Sequence, residues 1–99
     1  MIFEVAEISI DKAQESEFVV ACGEASGLFR QAKGCRHFQL QRVIEKPGEY
    51  RLIVGWDNVS DHMETFRQSA DFQQWRALVG PFFSVPTQVY HVETLLNEF

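Results

Sequence analysis

Most of what would mark a specialised chain is missing from this one. No apolar stretch among the 99 residues approaches the ~20 needed to cross a bilayer. The N-terminal MIFEVAEISIDK breaks its apolar run with Glu4 and Glu7 and has no basic leader, so it reads as a strand of a soluble, cytoplasmic protein and not as a signal peptide. Positive charge is short: nine Lys and Arg face 14 Asp and Glu, a net charge of -5. The nine are scattered, which argues against nucleic acid as a partner. Cysteine is reduced to Cys22 and Cys35, without C-x-x-C spacing or the density of a disulfide scaffold, so two reduced, half-buried thiols are expected. His37, His62 and His91 show no H-x-H or H-x-x-x-H pairing, which leaves no preformed metal site. Gly-rich phosphate loops and a nucleophile elbow are also lacking. Aromatic carbon is what the chain has in excess, with nine Phe, two Trp and two Tyr.

The patterning predicts six elements. Ile2 to Ile10 is a strand; Asp11, three residues before Gln14, has the spacing of a reciprocal helix cap. Phe18, Cys22, Ala25, Phe29 and Ala32 then form one helical stripe, closed by Gly34 as a left-handed cap residue. Cys35 to Glu45 alternates with Phe38, Leu40 and Ile44 on the apolar side. Lys46-Pro47-Gly48-Glu49 suits a type II turn into a third strand, Tyr50 to Trp56. Asn58 or Ser60 caps a second helix, Ser69 with Asp71 restarts it, Gly80-Pro81 stops it, and Thr87 to Leu96 is a fourth strand.

Strand, helix, strand, strand, helix, strand over residues 1–99 is a single α+β domain of the ferredoxin-like split βαβ kind, an antiparallel sheet with both helices on one face. The other face needs a cover, and pairing of two sheets into a homodimer supplies it.

The blocks AKGCRHFQLQR, YRLIVGWDNVSDHMETFRQSADFQQW and PFFSVPTQVYHVE, with VAEISIDKAQESEF before them, resemble the antibiotic biosynthesis monooxygenase family over almost the whole chain. The most specific part is Gly55-Trp56 followed by His62, Phe66, Ser69, Phe72 and Trp75, with Pro81-Phe82 and His91 behind. The resemblance implies a dimeric α/β barrel with a pocket between sheet and helices in each subunit. It also implies oxygenation of quinol-type or polycyclic aromatics by dioxygen without metal, flavin or haem. The haem-degrading branch of the same fold has an Asn in the first strand and a His in the second helix; here the first strand offers Glu7 and Ile8, and Arg76 stands near the second position.

On this reading His62 is the candidate base, since a neutral imidazole accepts a phenolic proton near neutral pH. Its alternative is a structural hydrogen bond near Trp56. Phe66, Trp75 and Phe83 are expected to wall the pocket above Trp56, with Arg76 or Arg51 stabilising an oxyanion. His91 is open to a pocket or an interface role, and His37 is expected at the surface. Three functions share this constellation: a cofactor-independent monooxygenase of a small hydroxylated aromatic, a dimeric binding module that has lost the reaction, and an isomerase or cyclase using His62 without oxygen.

Overall fold

A computed structural model describes residues 1–99. Its elements are β1 (Ile2–Ser9), a 3-10 turn (Lys12–Gln14), α1 (Glu15–Arg30), β2 (Cys35–Arg42) and β3 (Glu49–Trp56), then a π-helical turn (Asp61–Phe66), α2 (Ala70–Val79), a second 3-10 turn (Gly80–Phe82) and β4 (Gln88–Glu93). The strands make one antiparallel sheet in the order β2-β3-β1-β4. This is the α+β, ferredoxin-like arrangement expected from the element order. No helix is long and apolar enough to cross a membrane.

Local chemistry explains most boundaries. Asp11 accepts from the amide of Ala13, two residues on, and so opens the short 3-10 turn; α1 starts only at Glu15, and the reciprocal bond expected from Gln14 is not made. Gly34 has φ +78, and a Cβ there would collide with the carboxylate of Asp61, so both backbone and space demand glycine. Gly48, at φ +87, sits third in a turn closed by Glu49 N–H donating to Lys46 O, the expected type II geometry. Two strands are shorter than the pattern implies. Lys46 N–H donates to Val43 O, so the chain is already turning after Arg42, and Ile44 is 83% exposed instead of facing the core. β4 ends at Glu93, and Leu95 and Leu96 are exposed.

The core lies between the sheet and the two helices. Ala6, Ile8, Tyr50, Leu52, Val54 and Trp56 rise from the sheet to meet Phe18, Cys22, Ala25 and Phe29 of α1 and Trp75 and Val79 of α2. Phe29 is the hub, with ring centroids 4.6 Å from Phe66, 4.9 Å from Phe38 and 4.9 Å from Trp75. Burying each such ring stabilises the fold by roughly 1.5–3 kcal/mol. Cys22 is buried and Cys35 half-buried, both as free thiols, and burial pushes the Cys22 thiol up to about 12.

Candidate active site

The site begins with a carboxylate in the wrong phase. Glu4, Ala6, Ile8 and Ile10 are the buried positions of β1 and its extension, so the alternation that buries three apolar side chains also carries Glu4 to the helix side of the sheet, 5% exposed. In register, Glu4 faces Val54 on one side and His91 of β4 on the other.

The backbone after β3 brings the second group. Asn58 Oδ1 accepts from the amide of Asp61, and the next turn is wound as a π-helix, with Arg67 N–H donating to His62 O. The wider turn re-aims the side chains it carries, a device common at functional positions. His62 lies parallel to the indole of Trp56, centroids 5.3 Å apart and planes 17° from parallel.

Four side chains then form a chain of polar contacts. Trp56 Nε1 donates to Glu4 Oε1 at 3.1 Å, and His62 Nε2 stands 3.3 Å from the same oxygen. His62 Nδ1 is 2.8 Å from His91 Nε2. The close pair with hydrogen-bond geometry is His62 Nδ1 with His91 Nε2, whereas His62 Nε2 packs beside Glu4 Oε1 without donating to it. Trp56 thus holds Glu4 Oε1 and His91 pairs with His62 Nδ1, whereas Glu4 Oε2 has no protein partner and Glu4 lines a pocket.

Burial dominates the electrostatics. It raises the Glu4 carboxyl to about 7, against the opposing pull of the Trp56 bond and the Arg67 charge. It lowers His62 to about 4, reinforced by His91 and Arg67, and lowers His91 as well. Below neutral pH the pair is thus a carboxyl beside a neutral imidazole, not an ion pair, because neither charge is paid back for leaving water.

The pocket is an open cleft of about 1150 Å³ between β1, β4, α2 and the segment from Gly80 to Thr87. Ligand pockets commonly span roughly 300–1,000 Å³, so a polycyclic aromatic has room here. Ala6, Ile8, Leu52, Phe72, Trp75 and Phe83 supply apolar wall, Arg67 and Arg76 basic wall, and Glu4 with His62 the polar inner end. Nowhere do three His, Cys, Asp or Glu side chains gather as a metal-holding group.

Residues 1–78 match the family described as antibiotic biosynthesis monooxygenase. The chain belongs to that family. A Bordetella bronchiseptica crystal structure assigned to the antibiotic biosynthesis monooxygenases is 45% identical with a TM-score of 0.93, covering 96% of this chain and 97% of the other. The uncharacterised protein YczJ of Bacillus subtilis is 32% identical over 93 residues, 94% of this chain and 98% of YczJ. SnoaB, a cofactor-independent oxygenase from Streptomyces nogalater, shares the fold at a TM-score of 0.80 with 14% identity, over 97% of this chain and 94% of that one.

In this member of the antibiotic biosynthesis monooxygenase family, His62, Trp75, Arg76 and Phe83 of the residues singled out in the sequence line the pocket. Trp56 is fully buried behind His62 and holds Glu4; Phe66 packs into the core against Phe29, Trp56 and Phe72 and is not part of the pocket wall. His91 touches His62 from the β4 side without lining the pocket. Arg51 is corrected outright: alternation in β3 turns it to the helix-free face, 3.9 Å from Glu7 and Glu49, where it cannot reach a substrate in the pocket. His37 is exposed on that same face, as expected. The residues missed are Glu4 and Arg67. Glu4 left a signal, a charged residue in phase with Ala6, Ile8 and Ile10; Arg67 left none, because its orientation depends on the π-turn.

Proposed function

We propose that the protein is a cofactor-independent monooxygenase for a hydroxylated aromatic of quinol or anthrone type, with dioxygen as co-substrate. The observation that carries this reading is the free Oε2 of Glu4 at the inner end of an aromatic-walled pocket, on a carboxyl whose other oxygen is held by the indole N–H of Trp56. A general base works best with a pKa near the working pH, and burial lifts this carboxyl to about 7. On this reading Glu4 is the base, Trp56 orients it, and His62, paired with His91, packs beside it.

Triplet dioxygen reacts slowly with closed-shell organic molecules, but a phenolate or enolate can give it one electron. Glu4 takes the hydroxyl proton, and the anion passes an electron to dioxygen. The radical pair then joins at an activated ring carbon as a peroxide. Loss of water leaves a carbonyl, with the proton on Glu4 returning to the departing oxygen. One oxygen atom enters the product and one leaves as water. The reacting carbon, a CH₂ in the anthrone or in the keto tautomer of a quinol, becomes the carbonyl and supplies all four electrons, so no external reductant is needed. The aromatic walls from Phe72, Trp75 and Phe83 orient the rings and keep water from the peroxide.

Oxygen uptake with an anthrone, and separately with a naphthoquinol, tests this. We expect turnover that rises through about pH 7 as Glu4 ionises, after correction for the substrate's own ionisation, and that falls at least ~100-fold in Glu4→Gln. Product formation that continues without dioxygen would instead make the protein an isomerase or cyclase.

A further inference from the structure

We propose that the substrate is an aromatic acid, with its carboxylate held by Arg67 and Arg76 and its hydroxyl at Glu4. This rests on the pocket being the substrate site, as above, and not on the oxygen chemistry.

The first observation is which cations lack a partner. Lys33, Arg36, Arg42 and Arg51 all stand within 4.0 Å of a carboxylate. Arg67 and Arg76 have no such ion pair: Arg67 reaches only the Met63 sulfur at 3.7 Å, and the Arg76 guanidinium lies 5.9 Å over the Phe72 ring. The other unpaired cations, Lys12, Arg30 and Lys46, are away from the pocket; Arg67 and Arg76 line it.

The second observation is the balance of charge there. The only acidic side chain in the pocket wall is Glu4, at the inner end, so two guanidiniums face one carboxyl. The chain as a whole carries -5. Its overall field repels anions, and a site that reverses the sign locally selects for one. Arginine also presents a fork of N–H donors that fits a carboxylate edge to edge, which lysine does not. The Phe72 ring beneath the Arg76 guanidinium limits the freedom that side chain would lose on binding. Trp75 and Phe83 line the same pocket, suited to the ring system that joins the two polar groups.

The test is equilibrium binding under argon, where oxidation cannot interfere, of the matched pair 6-hydroxy-2-naphthoate and 2-naphthol, followed by tryptophan fluorescence and calorimetry. The acid should bind at least about tenfold more tightly, as charge-assisted hydrogen bonds warrant, and weaken as salt is raised. Arg67→Gln and Arg76→Gln should each remove most of that difference and leave 2-naphthol unchanged, with far-UV circular dichroism verifying the fold. Equal affinity of the two probes, an equal loss for both in the variants, or no binding of either at millimolar concentration overturns the proposal. Arginine-dependent binding of the acid without any oxygen uptake would sink the oxygenase reading alone. Oxygen uptake as fast on neutral naphthols as on the acids would sink this one alone.

Discussion

Glu4 and His62 trade a proton when the chain folds. In the unfolded chain at pH 5.5 the carboxyl, ordinarily at 4.5, is ionised and the imidazole, ordinarily at 6.5, is protonated. In the fold, burial has raised the first to about 7 and lowered the second to about 4, so the carboxyl holds the proton and the imidazole is neutral. Both states bind one proton, and the pair adds almost no pH dependence to stability between about pH 4.5 and 6.5. Removing one member uncovers the other. In His62→Asn the remaining raised carboxyl favours the fold fully below pH 4.5, and that contribution is lost as pH rises toward 7. In Glu4→Gln the remaining lowered imidazole favours it fully above pH 6.5, and the contribution is lost as pH falls toward 4. Each slope should total on the order of 3 kcal/mol, at roughly 1.4 kcal/mol per pKa unit. Urea titrations across pH 4.5–7 would show opposite slopes in the two variants; parallel slopes would mean the proton is not exchanged.

At the scale of elements, the junction from the π-turn to α2 is decisive. Ser69 was legible as a helix restart, and the structure shows why it works: its Oγ accepts from Phe72 N–H and donates to Phe66 O, so one side chain ends the first element and starts the next. Ser69→Ala should cost about 1 kcal/mol in chemical denaturation, within the usual range for a lost cap. A larger share of the loss should appear in the site, because the same junction sets the aim of His62 and Arg67. A binding defect out of proportion to the stability loss is the expected sign. The π-winding itself was not legible. Six residues are too few to separate i+4 from i+5 bonding by apolar spacing, and Asn58, not Ser60, makes the capping bond to Asp61.

For the molecule as a whole, the open question is the helix-free face of the sheet. Adjacent strands place Ile53, Val5 and Tyr90 in one row and Phe3 with Val92 in the next. Tyr90 also donates to Glu7, and Arg51 lies between Glu7 and Glu49, so the apolar rows have a polar border. Such a face on a chain of this size is suited to a second copy of itself, which would close the barrel and bury the rows. We expect a homodimer by light scattering at micromolar concentration, and a monomer for Ile53→Glu, whose side chain points away from the core and the pocket. A stable wild-type monomer would remove the barrel from the account.

Composition and periodicity alone determined the element order, the helix stripe through Phe18 and Phe29, the glycine at Gly34 and the aromatic surplus, because each depends on neighbours a few residues apart. The likeness to the family was carried by particular sequence blocks, above all Gly55-Trp56 followed by His62, Phe66, Ser69, Phe72 and Trp75. Tertiary structure decided the rest. Which oxygen of Glu4 stays free, that Nδ1 of His62 is taken by His91, and that Phe66 is core while Arg67 reaches the pocket all depend on distances across the sheet and on one π-wound turn. Burial from several elements at once sets the proton on Glu4 and not on His62, and no local pattern in a chain encodes the sum of that burial.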